Sequence, residues 1–263
     1  MSYLHAIIIA VVEGITEFLP ISSTAHLILA GEWLRIPSSD FLKTFEISIQ
    51  LGAILAIVIL YWKKVWNNWH LVWKIGTAFI PTAVIGFALY GIIKNYLFDS
   101  LEIIAGTLIV GGMMIIILEK FYSRRSSETN EPQTPDEQIK ITYVQALLIG
   151  IFQSLAVVPG VSRAGATIIG GLGLGINRRH IVEFSFLLAI PTMAAATGYD
   201  LLKSSPSFTS QEITIWIAGF VMSFITAIIG VKFFLKFIQT RNFIPFGWYR
   251  IGLGLVVLAW LWL

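Results

Sequence analysis

The 263-residue sequence is 56% hydrophobic, contains only 13% charged residues and has a mean hydropathy of +0.80. A soluble domain carries about 25% charged residues, so this composition excludes an ordinary globular enzyme and predicts a protein with several membrane spans. The net charge of +3 comes from loop lysines and arginines, and nothing in their distribution predicts nucleic-acid binding. The absence of cysteine excludes disulfides, thiolate metal sites and cysteine nucleophiles.

The first apolar stretch, residues 5–31, is too interrupted for an ordinary span. We predict two short helices that meet near Pro20 as a re-entrant hairpin, which enters and leaves on one face of the membrane. Irregular backbone at membrane depth is tolerated where protein or a water-filled cavity surrounds it. Ionisable groups at that depth are costly, so the polar residues 13–26 are candidates for function. A polar seam between helices, or an amphipathic N-terminal segment, is the simpler alternative.

Three long apolar segments follow the hairpin, and each is close to the ~20 residues that a span requires. They cover residues 44–61, 75–93 and 101–118. The polar residues 123–140 have the composition of a linker with little to bury.

After the linker the pattern restarts. A shift of 140 positions places residues 149–171 on residues 9–31, with Ser162 on Ser22. This predicts a second hairpin at 142–177, followed by three further spans at 181–202, 213–237 and 246–263.

An odd number of spans per half requires the two halves to be inverted relative to each other. The predicted fold is an all-α integral membrane protein with six transmembrane helices and two re-entrant helical hairpins arranged as an inverted repeat. Its first repeat occupies residues 1–122 and its second repeat residues 141–263.

Loop charges predict the orientation of this fold. If both hairpins return to their own side, one face collects most basic loop residues, including Lys63, Lys64, Arg124, Arg125, Arg178 and Arg179. The positive-inside rule makes that face cytoplasmic, together with the linker 123–140. We therefore predict a multi-pass protein of the cell membrane whose first hairpin enters from outside.

The first candidate pair is Glu13 and Glu17, which are four residues apart and project from one face of a helix. Two such carboxylates repel each other unless a cation or a shared proton lies between them. The pair therefore predicts either a divalent metal bound by Glu13 and Glu17 or a carboxylic acid that transfers a proton.

The sequence after Pro20 predicts the start of the second hairpin helix, with a serine as its cap. Unpaired amides at such a start attract phosphate, and Ser22 and Thr24 are candidate substrate-binding residues. Ser23 and His26 are three apart and lie on adjacent turns of one face. This spacing predicts a hydroxyl–imidazole contact of the kind that activates a nucleophile.

The matching stretch of the second half is Pro159-Gly-Val-Ser-Arg163-Ala-Gly-Ala-Thr167. Arg163 is the only arginine that we expect far from a loop, and a buried guanidinium predicts a bound carboxylate or phosphate. A purely structural ion pair between Arg163 and Glu17 is the alternative. Four neighbours are candidate phosphate-binding residues: Gly160, Ser162, Gly165 and Thr167. Five further polar residues are expected to line the same cavity: Glu46, Ser48, Gln50, Glu183 and Ser185.

Together, the Glu13-x-x-x-Glu17 pair, the segment 20–26 and the segment 159–167 resemble the bacterial undecaprenyl-pyrophosphate phosphatases of the BacA type. The resemblance covers essentially the whole chain, although the family usually has serine where Ala164 stands. It implies hydrolysis of undecaprenyl diphosphate to the monophosphate, which recycles the lipid carrier for peptidoglycan. It also implies dependence on a divalent cation, Mg²⁺ or Ca²⁺, and a link to bacitracin resistance.

We therefore predict a lipid-diphosphate phosphatase whose active site lies where the two hairpin tips meet. Ser23 attacks the terminal phosphorus, His26 and Glu17 act as base and acid, and Arg163 and a cation bound by Glu13 and Glu17 offset charge. His26 as the nucleophile is the alternative within this class.

The competing class is a transporter or flippase of polyprenyl phosphate lipids, because such proteins also contain inverted repeats. The predicted partners are the polyprenyl diphosphate substrate and the surrounding membrane lipids. A homo-oligomer is compatible with the sequence but not specified by it.

Overall fold

The computed structural model describes residues 1–37, 39–92, 100–129, 139–204 and 209–262. In these ranges the chain forms ten α-helices, and a short 3-10 helix, Leu155–Val157, follows the sixth. The α-helices are α1 Tyr3–Thr16, α2 Ser23–Trp33, α3 Asp40–Trp66, α4 Trp69–Ile92, α5 Leu101–Thr129, α6 Tyr143–Ser154, α7 Arg163–Gly173, α8 Arg178–Ser204, α9 Ser210–Thr240 and α10 Ile244–Leu261.

Six of the helices in the described ranges, α3–α5 and α8–α10, are long and apolar enough to cross a membrane. The six predicted spans are thereby confirmed, and most helices extend a few residues past the apolar intervals. Helix α5 continues to Thr129, which lies inside the interval 123–140 predicted as a linker. Residues 130–138 of that interval lie outside the described residues, and the repeat boundaries stay a prediction.

The short helices form two packed pairs, α1 with α2 and α6 with α7, and three long helices follow each pair. Contacts between the halves are reciprocal: α1 packs against α9, and its counterpart α6 packs against α4. The remaining equivalent helices pack against each other, α3 against α8 and α5 against α10. The arrangement is therefore consistent with the predicted inverted repeat. That each pair returns to its own membrane face stays a prediction.

Two equivalent hydrogen bonds show the same relation in atomic detail. The hydroxyl of Thr82 in α4 donates to the carbonyl of Gly150 in α6 at 3.1 Å. The hydroxyl of Thr226 in α9 donates to the carbonyl of Ala10 in α1 at 3.5 Å. Ala10 and Gly150 are related by the same shift of 140 positions that relates the two hairpin sequences.

The chain starts several helices with hydroxyl caps, which satisfy amides that have no partner within the helix. Such caps precede α1, α3, α6 and α9, and the capping residues are Ser2, Ser39, Thr142 and Thr209. The caps of α6 and α9 are complete capping boxes, closed by Gln145 and Glu212.

The largest apolar core includes phenylalanines of the first tip, α8 and α9. The Phe18 ring packs edge-on against Phe186 at 5.4 Å, and Phe186 packs against Phe234 at 6.1 Å. Because Phe18 directly follows Glu17, this packing fixes the position of the first hairpin tip.

Candidate active site

Each hairpin turns into its second helix through a serine with left-handed backbone. The φ angle is 73° at Ser22 and 72° at Ser162. The Ser22 hydroxyl accepts a hydrogen bond from the amide of Ala25, and the Ser162 hydroxyl accepts one from the amide of Gly165. This conformation costs about 1–3 kcal/mol in a residue other than glycine, so surrounding contacts must hold it. The predicted serine cap is confirmed, and it is Ser22.

The carboxylate of Glu17 joins the two tips. Its Oε2 accepts a hydrogen bond from the Ser23 hydroxyl at 2.5 Å, and its Oε1 accepts one from Arg163 Nη2 at 3.2 Å. The Glu17 and Arg163 side chains are only 6% and 9% exposed. Since Ser23 starts α2 and Arg163 starts α7, one buried carboxylate lies between two helix N-termini, where the helix dipoles favour negative charge.

Arg163 is held by further contacts from α8 and the first tip. Its Nη1 donates to the carbonyl of Ser185 at 2.6 Å and to the Ser185 hydroxyl at 3.3 Å. The guanidinium also lies over the Phe18 ring at 5.7 Å from the ring centre. Its buried Nε has no hydrogen-bond partner among the described residues, so the group retains one donor.

Glu13 is fully buried one helical turn before Glu17. Neither of its carboxylate oxygens has a hydrogen-bond partner within the described parts of the chain. The charged groups that interact with it are the carboxylates of Glu17 and Glu46 and the guanidinium of Arg163. A buried carboxylate without a donor is unstable unless a cation or a proton compensates it.

His26 does not contact Ser23 as the sequence predicted. Its Nδ1 lies 2.7 Å from the carbonyl oxygen of Ser22, and its Nε2 lies 2.7 Å from the hydroxyl of Tyr249 in α10. The Ser23 hydroxyl instead donates a hydrogen bond to Glu17 Oε2. The prediction rested on helical spacing alone. In the structure, both ring nitrogens of His26 have other partners.

The remaining predicted phosphate-binding residues have mixed environments. The Thr167 hydroxyl is buried and contacts carbonyls of its own helix and the Ser185 hydroxyl, at 2.6 Å. Thr24 lies half-buried on the first turn of α2. Gly160 has a φ of +86°, and a Cβ there would lie 2.1 Å from the Thr107 hydroxyl, so only glycine fits. The binding roles of these residues stay predictions.

Of the five expected cavity residues, Ser185 contacts the site and Glu46 interacts with it electrostatically, while one lies elsewhere. Ser185 accepts a hydrogen bond from Arg163, and the charge of Glu46 acts on Glu13. Glu183 instead forms ion pairs with Lys64 and Arg179, so both of its carboxylate oxygens are already bound.

Sequence reasoning missed Arg250, and the expectation that Arg163 alone lies far from a loop is wrong. Arg250 is fully buried in the middle of α10 and donates hydrogen bonds to five backbone carbonyls. These belong to Pro20 of the first tip, Gly160 and Val161 of the second tip, and Thr107 and Leu108 of α5.

The guanidinium of Arg250 thus joins both tips to α5 and α10. Gly111 makes room for it, because a Cβ at that position would lie 2.3 Å from Arg250 Nη2. The signal in the sequence that could have identified Arg250 was its charge inside an apolar span.

Comparison with known proteins gives a consistent result. A family model described as bacitracin resistance protein BacA matches residues 6–256 of the chain. Similar full-length relatives are named undecaprenyl-diphosphatase. The relative from Aquifex aeolicus (strain VF5) is 49% identical over 259 residues, which cover 98% of both chains. The relative from Wolinella succinogenes is 49% identical over 261 residues, 99% of both chains. The relative from Bdellovibrio bacteriovorus is 45% identical over 262 residues, 100% of this chain and 97% of its own.

Proposed function

The chain belongs to the family of the bacitracin resistance protein BacA, and we infer that it is an undecaprenyl-diphosphatase. It hydrolyses undecaprenyl diphosphate to undecaprenyl phosphate and inorganic phosphate. By this reaction it recycles the lipid carrier for peptidoglycan synthesis and confers resistance to bacitracin. The protein is a multi-pass membrane protein, since six helices of the described chain are long and apolar enough to span a membrane.

One observation supports the location of the active site above all others. A hydroxyl from the first tip and a guanidinium from the second tip share the two oxygens of Glu17. This brings a nucleophile, a proton acceptor and a cation within reach of one phosphoryl group. Hydrolysis of a diphosphate requires all three, because charge must be offset while the phosphoryl group transfers.

In the proposed mechanism, the Ser23 oxygen attacks the terminal phosphorus and its proton passes to Glu17, which lies 2.5 Å away. The bond from that phosphorus to the bridging oxygen breaks, and undecaprenyl phosphate leaves. Water then attacks the phosphoserine: His26 Nε2 accepts a proton from the water, the bond between phosphorus and Ser23 Oγ breaks, inorganic phosphate leaves and Glu17 returns the proton to Ser23. Arg163 stabilises the negative charge of the transferring group, as guanidinium groups do in other phosphoryl-transfer sites.

The carboxylates also fit a divalent cation. Glu13 offers two buried oxygens without a donor, and Glu17 lies one helical turn away. No group of three or more potential metal ligands occurs within the described residues, so phosphate oxygens and water would complete the coordination. Mg²⁺ is commonly held in this way, by one or two carboxylates and substrate phosphates. A bound Mg²⁺ or Ca²⁺ would neutralise charge on the diphosphate.

His26 is the alternative nucleophile. In the neutral ring its Nε2 can be unprotonated, because the Tyr249 hydroxyl can donate a hydrogen bond to it. The two routes leave different intermediates: a phosphoserine survives acid, whereas a phosphohistidine is hydrolysed by acid and survives base. Trapping the phosphoenzyme from radiolabelled substrate and mapping the modified side chain would distinguish them. The hydrogen bond between Ser23 and Glu17 supports Ser23.

The competing prediction of a transporter or flippase is not favoured. The relatives are named for hydrolysis, and a carrier site requires no hydroxyl beside its carboxylates. Release of phosphate from the C55 diphosphate by the purified protein, in detergent with Mg²⁺ or Ca²⁺, tests the function directly. If the wild-type protein releases none, the phosphatase hypothesis is wrong.

We place the protein in the inner membrane with its active site facing outside, on the basis of the loop charges. Because the chain has no cysteine, single-cysteine variants can test this orientation directly. Lys43→Cys and Arg124→Cys introduce a thiol at exposed positions on opposite predicted faces. An impermeant maleimide should label Lys43→Cys in intact cells but not Arg124→Cys, and the reverse result would invert the orientation.

A further inference from the structure

Tyr249, in α10, contacts the side chain of His26 from the other half of the chain. Its hydroxyl lies 2.7 Å from His26 Nε2, and the two rings are nearly parallel, 6° apart, with their centres separated by 5.6 Å. The other ring nitrogen, Nδ1, lies 2.7 Å from the carbonyl oxygen of Ser22. Both nitrogens of the imidazole are therefore engaged.

These contacts define the tautomer of His26. A carbonyl oxygen only accepts hydrogen bonds, so Nδ1 must carry a proton that it donates to Ser22. In the neutral ring, Nε2 is then an unprotonated acceptor, and the Tyr249 hydroxyl donates to it. When Nε2 gains a proton, the same hydroxyl can reverse its role and accept, so the ring keeps its hydrogen bond in both protonation states.

The position of Tyr249 is itself fixed by its neighbour. Arg250 follows it in α10 and binds carbonyls of both hairpin tips and of α5. This anchor fixes the position of α10 relative to α2, and with it the distance between the Tyr249 hydroxyl and His26.

We propose that Tyr249 is a positioning residue of the phosphatase, which orients His26 and holds Nε2 as its single basic atom. The inference rests on the proposed function, because His26 serves that reaction as a base or as a nucleophile. In either role only Nε2 is available, since Nδ1 is protonated and bound to Ser22.

Tyr249→Phe removes the hydroxyl and retains the ring, so the fold should be preserved. We expect kcat to fall about 10-fold or more, with KM within about two-fold of wild type, because Tyr249 acts through His26 and not on the lipid. Tyr143→Phe is the matched control: Tyr143 is 47% exposed and Tyr249 48% exposed, and Tyr143 lies outside the site. The control should retain the wild-type kcat.

A second measurement does not depend on activity. The protein contains four histidines, so ¹⁵N-histidine labelling gives few imidazole signals, and comparison with His26→Gln assigns those of His26. In the wild type, neutral His26 should be protonated at Nδ1 and unprotonated at Nε2. In Tyr249→Phe, the Nε2 resonance should move to the position of a ring nitrogen without a hydrogen bond.

Three results would each overturn the proposal. They are a wild-type His26 protonated at Nε2, an Nε2 resonance that Tyr249→Phe leaves unchanged, and a wild-type kcat in Tyr249→Phe. Failure of the proposed function is a separate result, since it would appear as a wild-type protein that releases no phosphate. The NMR measurement would report the His26–Tyr249 contact in that case as well.

Discussion

The ends of the two hairpins share the same pattern of backbone hydrogen bonds. The amide of Ile36 donates to the carbonyl of Gly31 at the end of α2, and the amide of Ile176 donates to that of Gly171 at the end of α7. Two pairs of left-handed residues also correspond, Ser22 with Ser162 and Arg35 with Gly175, whereas left-handed Gly160 corresponds to Pro20. All of these pairs are 140 positions apart. One backbone design is therefore used twice.

The side chains on this common backbone differ. The first hairpin carries Glu13, Glu17, Ser23 and His26 where the second carries Gln153, Val157, Arg163 and Ala166. In the proposed mechanism, the first hairpin supplies acids, a nucleophile and a base, and the second supplies a cation. Neither half contains a complete site. The comparison shows how two hairpins with a common backbone can bring chemically complementary side chains together at Glu17.

Glu13 and Gln153 illustrate the difference most directly. The amide of Gln153 donates to the hydroxyls of Thr82 and Thr192 and so binds α6 to α4 and α8. The oxygens of Glu13 have no such partners within the described chain. The same position is structural in the second hairpin, whereas the role proposed for Glu13 in the first is to bind a cation.

The largest expected effect comes from the nucleophile. Ser23→Ala should lower kcat about 10³-fold or more, because Glu17 then has no hydroxyl proton to accept. The matched control is Ser154→Ala, a buried serine of the second hairpin that donates to its own helix at 2.6 Å. The rate of phosphate release measures the turnover of both variants. A Ser23→Ala protein with near-normal turnover would transfer the nucleophilic role to His26.

Arg163→Ala should lower kcat/KM about 100-fold, because the second hairpin then contributes no charge to the transferring phosphoryl group. The variant also leaves Glu17 buried without its partner, which should cost about 3–5 kcal/mol of stability. Adding Glu17→Gln should restore part of the thermal stability but none of the activity. Near-normal turnover of Arg163→Ala would instead show that the ion pair is purely structural.

Glu13→Gln gives the first hairpin the side chain of the second. We expect kcat to fall about 10-fold to 100-fold and the half-saturating concentration of Mg²⁺ or Ca²⁺ to rise, because one carboxylate remains. Thermal stability should be unchanged or higher, since a buried carboxylate without a donor is removed. Glu46→Gln is a useful comparison, because the charge of Glu46, in α3, acts on Glu13. An unaltered metal dependence of Glu13→Gln would exclude Glu13 as a ligand.

The reverse exchange, Gln153→Glu, should affect stability more than chemistry. A carboxylate cannot donate to the Thr82 and Thr192 hydroxyls, which already donate to the carbonyls of Gly150 and Leu188. We expect a loss of about 1–3 kcal/mol in thermal unfolding, with turnover per folded molecule within about two-fold of wild type. A large loss of turnover without a loss of stability would mean that the second hairpin also contributes chemistry at this position.

Much of the fold was predictable because both hydropathy and the similarity between segments 140 residues apart can be read from the sequence alone. The apolar intervals gave the six long helices, and the matching hairpins gave the repeat. The convergence of Glu17, Ser23 and Arg163 followed from placing two functional tips together. Helix ends were less predictable: α5 runs to Thr129 because a helix that leaves the apolar interval can continue in polar sequence.

The partners of His26 could not be predicted in the same way. Its spacing from Ser23 is compatible with a contact, but the competing hydroxyl comes from Tyr249, which is more than two hundred residues away. The role of Arg250 was equally unpredictable, because its hydrogen-bond acceptors are backbone carbonyls that no pattern of side chains reveals. Long-range contacts of this kind depend on how α10 packs against α5.

The five carbonyls bound by Arg250 belong to residues that ribosomes make long before α10. During biosynthesis, both tips therefore acquire these hydrogen bonds only after α10 has been made. A chain halted ahead of α10 would lack all five of these hydrogen bonds.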